Sequence, residues 1–377
     1  SFYPATFYGG PISATWDLSR QISARGIELY VSTTNANGSI KLNVDTNKFV
    51  KQEDNFFVKY YNEQFINRFS LSFIFGVWTD IKKADVVYIQ YIFHYTVLFS
   101  LLFSILQRKQ IIICPRGSFS KFTLSYRLSF IKSIWLRLCI KPFCKYILWH
   151  ASSYLEERDI KRSFSEAKVE IITDGVDFLT FQKFKVYDKY ALLEKYTNCK
   201  FKEVSNIFFS MGRLHSIKCF DVLIDAFSLF IRKDKDAKLI IAGADDGEFE
   251  KLNRQIINSK LQDSIFLIGF VGFEDKKILL NNCDYFTLAS EFESFGIAVV
   301  EALSCGKPIV LSNKTPWKSL EKNKCGILVE NDKNSFSNAF EKIIYEEYDS
   351  QLIKDFIKLN YDWGIITDRF LDSIKNV

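Results

Sequence analysis

Two glutamates eight positions apart, Glu293 and Glu301, frame the segment ESFGIAVVE. An apolar strand-like run, Tyr285 to Ala289, precedes them, and the residues that follow carry the apolar period of a helix. A turn that presents Glu293, with Gly296 at the helix start, leaves the backbone N–H groups of Phe295, Gly296 and Ile297 free to meet an anion. Carboxylates beside such an anion site accept hydrogen bonds from hydroxyls. Phosphate and sugar hydroxyls together describe a nucleotide sugar.

Departure of a nucleoside diphosphate from an anomeric carbon requires a divalent metal or fixed cations to neutralise the leaving group. Arg213 and Lys218, in GRLHSIK, follow the apolar run Ile207 to Met211. Ligands of parallel sheets bind beyond the carboxyl ends of strands, where Arg grips phosphate through two bonds and Lys adds a point charge. Gly9 and Gly10, just before a helix that opens with Pro11, let backbone approach a diphosphate because no side chain intervenes. The D-x-D pair Asp234 and Asp236 sits in RKDKDAK, a solvated turn, and the eight cysteines form neither C-x-x-C pairs nor clusters with His. No metal and no cofactor beyond the donor substrate is expected. His94, His150 and His215 are expected to be structural.

These segments together resemble the retaining glycosyltransferases of family 4. ESFGIAVVE matches that family's E-x7-E signature and GRLHSIK its diphosphate clamp. YGGP at Tyr8 to Pro11, PRG at Pro115 to Gly117, HASS at His150 to Ser153 and DGVD at Asp174 to Asp177 fall in the family's order. The resemblance implies a GT-B fold, in which two doubly wound Rossmann-like domains with parallel sheets face across a cleft. It implies that Glu293 meets the donor sugar, that Glu301 holds the ribose hydroxyls, and that Arg213 and Lys218 stabilise the departing diphosphate. Arg116 stands where many relatives carry His; it cannot act as a base and is expected to bind phosphate or an acidic acceptor. Asp174 replaces a usual Asn. The implied reaction moves a hexose from a nucleoside diphosphate sugar to a saccharide, lipid-linked in polysaccharide or O-antigen synthesis, without metal and with retention. Two readings of other classes stand beside it: a nucleotide-sugar 2-epimerase of the same architecture, and a noncatalytic scaffold.

The elements needed to position these residues are legible as a βαβ rhythm. Apolar runs at Ile27 to Thr33, Val86 to Gln90, Ile111 to Cys114, Tyr146 to His150 and Val169 to Thr173 form one series. Ile207 to Met211, Lys238 to Ala242, Ile265 to Ile268, Tyr285 to Ala289, Pro308 to Leu311 and Ile327 to Val329 form a second. A chain of 377 residues is expected to divide in two: an acceptor-side domain over 1–177, a nucleotide-sugar domain over 178–360, and a helix over 361–377 that returns to the first. The family's first strand, before the glycine-rich loop, is missing here, and the chain is expected to be truncated at its N-terminus. The segment Asn35 to Asn67 reads as variable loop.

The net charge of +6 is unevenly spread, with 22 basic against 14 acidic residues in 1–176 and no acidic residue from Val86 to Leu155. Within that window FTLSYRLSFIKSIWLRLCIKPFCKY alternates basic residues, Arg127, Lys132, Arg137, Lys141 and Lys145, with large apolar ones. This is the composition of an interfacial helix on anionic lipid. No nucleic-acid module accompanies the charge. Val86 to Leu106 approaches the length of a membrane span but is interrupted by Gln90 and His94. The expected location is cytoplasmic, peripheral on the inner membrane face.

Overall fold

The computed structural model describes residues 1–5, 7, 9–64, 69–125 and 128–375. Tyr8 of the YGGP segment and Arg127 of the basic run lie outside the described residues. The chain forms two compact units, Ser1–Gly175 with Trp363–Val377, and Val176–Asp362.

In the first unit the helix Gly10–Ser23 begins with Pro11 in its first turn, where the missing N–H costs nothing. Strand β1 (Leu29–Thr34), a short hairpin β2 (Ala36–Asn37) and β3 (Ile40–Lys41), β4 (Phe49–Glu53) and β5 (Phe56–Tyr61) follow. After the helix Leu71–Lys82 come β6 (Val86–Gln90), the helix Tyr95–Leu106, β7 (Gln110–Cys114), β8 (Ile147–Ala151), the helix Tyr154–Ser163 and β9 (Lys168–Ile171). β6, β7, β8 and β9 form a parallel four-stranded sheet in that order. A separate sheet has the order β1-β5-β4, with β5 parallel to β1 and antiparallel to β4. The single parallel sheet expected here is instead split into a parallel sheet of β6 to β9 and a mixed sheet of β1, β5 and β4, and β1 and β6 each stand at an edge. Asn35 to Asn67 is corrected from loop: it holds β5, whose residues Phe56, Val58, Tyr60 and Tyr61 are buried. Charged neighbours in its partner β4 masked the apolar alternation.

One face of the four-stranded sheet, through Ile111, Ile113, Ile147 and Trp149, packs into the apolar core of this unit. On the other, Tyr88 and His150 stack at 5.7 Å, and Phe370 of the helix Trp363–Lys375 lies 5.1 Å and 5.5 Å from their rings. Arg25 ties the same helix down, bonding Asp368 at 2.6 Å and the Gly364 carbonyl at 2.7 Å.

The second unit is one six-stranded parallel sheet. Its strands are β10 (Ile207–Met211), β11 (Lys238–Ala242), β12 (Ile265–Gly269), β13 (Tyr285–Leu288), β14 (Ile309–Ser312) and β15 (Gly326–Val329), in the order β12-β11-β10-β13-β14-β15. Parallel strands covered on both faces read as unbroken apolar runs, and β10 and β11 are buried at every residue. Alternation sends Phe208, Leu239 and Ile241 into one core cluster and Phe209, Met211 and Ile240 into the other. The strand order reverses between β10 and β13. That reversal is the switch point where ligands of such sheets bind. Among the described residues no helix is long and apolar enough to cross a membrane.

Candidate functional site

The loops that leave β10 and β13 carry Arg213, Lys218, Glu293, Phe295 and Gly296, all singled out in the sequence. After β10 the backbone turns at Gly212, whose N–H bonds the Ala242 carbonyl at 3.0 Å, and Leu214 N–H bonds the Ala244 carbonyl at 2.8 Å. This closeness depends on Gly243: a Cβ there would lie 1.8 Å from the Gly212 carbonyl oxygen. Arg213 stands beyond the strand end, half exposed, in an ion pair with Asp246. Ser216–Lys218 forms one 3-10 turn, and Lys218 folds back along Gly212.

The β13 loop is joined to this one twice. Glu291 N–H donates to the Ile217 carbonyl at 2.9 Å. The Lys218 ammonium bonds Glu293 Oε1 at 2.5 Å, and the same oxygen accepts from Ser290 Oγ at 2.7 Å. Gly296 then adopts φ +93°, a left-handed conformation favouring glycine, and caps the helix Ile297–Ser304. Of the first N–H groups of that helix, Val299 bonds the Gly296 carbonyl at 2.9 Å, while those of Ile297 and Ala298 have no acceptor within it. Trp317 fixes the turn from below, donating its indole N–H to the Phe295 carbonyl at 2.7 Å with its ring 5.3 Å from that of Phe295.

Glu301 lies one turn into the helix, about 6 Å along its axis from Ile297, and is 7% exposed. A buried carboxylate needs a partner, and the structure supplies Lys276, from the helix Phe273–Asn282. The Lys276 ammonium also lies over the rings of Phe273 and Phe181, at 5.1 Å and 5.6 Å. Lys276, Asp246, Ser290 and Trp317 were not found by sequence reasoning. Lys276, Asp246 and Trp317 reach the site from other loops or helices, with no spacing that links them to a motif; the paired lysines in FEDKKILL and the place of Ser290 three residues before Glu293 were the signals available.

The remaining sequence candidates belong to the first unit. Gly9, at φ +72°, precedes the helix that Gly10 opens. Arg116 lies just beyond β7, with a left-handed φ of +53°. Its Nη1 bonds both Asp174 oxygens, at 2.5 Å and 2.6 Å, and its Nε bonds Gln90 Oε1 at 3.0 Å. At 2% side-chain exposure this cation is sealed against Asp174, so the Arg at the usual His position and the Asp at the usual Asn position form one compensating pair. The expected exposed grip on phosphate is not what the structure presents at Arg116. His150 Nε2–H donates to the Ile172 carbonyl at 2.7 Å and its Nδ1 meets Tyr88 Oη at 2.8 Å, and burial, with Arg116 nearby, pulls its imidazole down to about 4. Asp234 of the D-x-D string accepts from Ser205 Oγ at 2.5 Å and Asn206 Nδ2 at 2.9 Å, which makes it a loop fastener.

The second unit therefore gathers three cations, three carboxylates and a helix N-terminus around the carboxyl ends of its central strands. The charges pair with one another: Lys218 with Glu293, Arg213 with Asp246, Lys276 with Glu301. Such a set can take a diphosphate on its cations while releasing its carboxylates to hydroxyls.

Residues 197–363 match the family model "Glycosyl transferases group 1". The chain is 32% identical over 110 residues to mannosylfructose-phosphate synthase of Agrobacterium fabrum, an alignment covering 27% of this chain and 24% of that relative. It is 24% identical over 310 residues to the GDP-mannose:cellobiosyl-diphosphopolyprenol alpha-mannosyltransferase of Xanthomonas oryzae pv. oryzae, across 79% of this chain and 76% of the relative. In structure it resembles Anabaena Alr3699/HepE, solved with UDP and glucose, at a TM-score of 0.75 and 18% identity over 98% of this chain and 97% of that one. That likeness is one of fold, and the fold class is GT-B.

Proposed function

We propose that this chain, whose residues 197–363 match the model of the glycosyl transferases group 1, is a retaining hexosyltransferase of family 4. It takes hexose from a nucleoside diphosphate sugar and passes it to a saccharide, lipid-linked in polysaccharide or O-antigen assembly. The observation that carries the reading is the Lys218–Glu293 pair at the β10 and β13 strand ends, flanked by Arg213 and by the open helix start at Gly296. The diphosphopolyprenol acceptor in the name of the Xanthomonas relative supports the lipid-linked acceptor.

In the proposed reaction Lys218 leaves Glu293 for the β-phosphate, Arg213 leaves Asp246 for the same diphosphate, and Glu293 accepts from hydroxyls of the sugar. The acceptor oxygen forms its bond to the anomeric carbon on the face from which the β-phosphate oxygen departs. That oxygen takes the acceptor's proton. Leaving-group charge is met by fixed cations, so no metal step is invoked, and the enzyme contributes orientation. Glu301 receives the ribose hydroxyls.

Thermal unfolding with UDP, GDP, ADP and their hexose conjugates, in the presence of EDTA, tests the donor. A ligand of the native state alone raises apparent stability by mass action. One nucleotide is expected to stabilise the protein, and the effect is expected to vanish in Arg213→Ala. A folded protein that no nucleotide shifts would return the scaffold reading, and an α-linked donor that yields a β-linked product would overturn retention.

A further inference from the structure

The segment after β7 breaks into a helix, Ser129–Trp135, a π-helical turn, Leu136–Ile140, and a 3-10 turn, Lys141–Tyr146. Its inner stripe is already used: Trp135, Leu136, Cys139, Ile140 and Phe143 pack into the core of the first unit, and the Trp135 indole N–H bonds the Ile92 carbonyl at 2.9 Å. A helix needs one apolar stripe to fold against a core. This one carries a second, because Phe130, Ile131, Ile134 and Leu138 point outward, with Phe130 76% and Leu138 65% exposed. Positions 130, 134 and 138 repeat at four residues and form one row.

Arg137, Lys141 and Lys145 are exposed around that row, and among the described residues none of them makes a salt bridge. No acidic residue occurs from Val86 to Leu155, so the patch has no internal counter-charge. A contiguous exposed apolar patch of this kind marks an interaction surface. Its rim selects an anionic partner. A second copy of the chain placed symmetrically on this patch would oppose the same cations to themselves.

We propose that the outward face of Ser129–Tyr146 docks on the surface of an anionic lipid bilayer, with Phe130, Ile134 and Leu138 entering the acyl boundary and Arg137, Lys141 and Lys145 meeting the headgroups. Aliphatic and aromatic depth combined with basic charge is the pairing that stable interfacial binding requires. Lys132, although basic, is not part of the contact: its ammonium bonds the Thr123 carbonyl at 2.6 Å. The inference stands apart from the donor site, so its test reads no nucleotide.

The whole chain is floated with vesicles of phosphatidylcholine alone and of phosphatidylcholine with ~30% phosphatidylglycerol, the anionic composition that the cationic rim requires. Binding is expected to the second only, and to weaken as salt rises. Arg137→Glu with Lys141→Glu and Lys145→Glu, and separately Phe130→Ser with Ile134→Ser and Leu138→Ser, are each expected to reduce bound protein at least ~10-fold with circular dichroism unchanged. All six positions are exposed or lie outside the inner stripe, so folding is spared. Equal binding to both vesicle types, or retention by both folded variants, would overturn the proposal. So would a wild-type dimer that the serine variant converts to monomer, because the row would then be an interface between copies.

Discussion

Lys276 is the residue whose role is clearest from what surrounds it. With Glu301 buried on the neighbouring helix, the ammonium is the carboxylate's compensating charge, and removing one member of a buried pair costs about 3 kcal/mol or more. Lys276→Met is therefore expected to lower the midpoint of chemical denaturation. If ribose hydroxyls take over Glu301, saturating nucleotide should restore part of that loss and raise Tm more in the variant than in the wild type. An equal rise in both would remove Glu301 from the nucleotide. Lys218→Ala acts differently, since the ammonium is proposed to meet charge that develops on the leaving group: kcat should fall about 100- to 1000-fold, measured as turnover at saturating donor. His150 sets a pH limit. Its imidazole titrates near 4 in the folded protein against 6.5 unfolded, so between those values the unfolded chain binds the extra proton and stability falls as pH drops. The loss reaches about 3 kcal/mol by pH 4. Glu156, raised by burial, works in the opposite direction, so the measurement is the Tm difference between wild type and His150→Asn from pH 7 to 4, which is expected to shrink. Residues such as Glu293 and Arg213 were legible because their motifs are contiguous. Asp246, the partner of Arg213, and Lys276, the partner of Glu301, were not, because only folding brings those loops together.

At the scale of elements, the strands of the second unit were read nearly to the residue, Ile207–Met211 and Lys238–Ala242 without change. Burial on both faces makes each an uninterrupted apolar run, and no helical pattern competes at five residues. β5 was hidden for the converse reason: FFVKYY lies beside the charged strand β4 in a mixed sheet that the βαβ rhythm does not lead one to expect. Also unread were the helices Lys333–Ile343 and Ser350–Tyr361, which pack behind the sheet and hold no site residue. What positions the clamp is the close approach of the loops after β10 and β11, and that approach rests on Gly243. Gly243→Ala forces a methyl into the Gly212 carbonyl and is expected to cost about 3 kcal/mol and to displace Arg213. Gly247→Ala is the control. Its left-handed φ of +96° is strained by a side chain, but nothing lies within 4 Å of the added atom, so the cost is the backbone penalty of about 1–2 kcal/mol. Urea denaturation of both variants, with nucleotide affinity alongside, separates collision from strain: only Gly243→Ala should lose affinity.

At the scale of the whole molecule, the chain enters and leaves the second unit at one place. Val176 N–H bonds the Tyr361 carbonyl at 2.9 Å, and Val176 bridges Asp362 in parallel, so the two ends of Val176–Asp362 are already side by side. The unit has its own sheet, with an apolar cluster on each face built from residues inside those limits. It meets the conditions for folding alone. Arg213, Lys218, Lys276, Glu293 and Glu301 all lie within it, whereas Gly9 and Gly10 do not. Residues 176–362 expressed as a fragment are therefore expected to unfold in one cooperative transition. The nucleotide that stabilises the whole chain should stabilise the fragment too, by about 2.7 kcal/mol at a hundredfold excess over Kd, or roughly 5–10 °C in Tm. A fragment that folds and does not respond to nucleotide would place the donor's principal contacts outside the second unit, and with them the roles assigned to the Lys218–Glu293 pair.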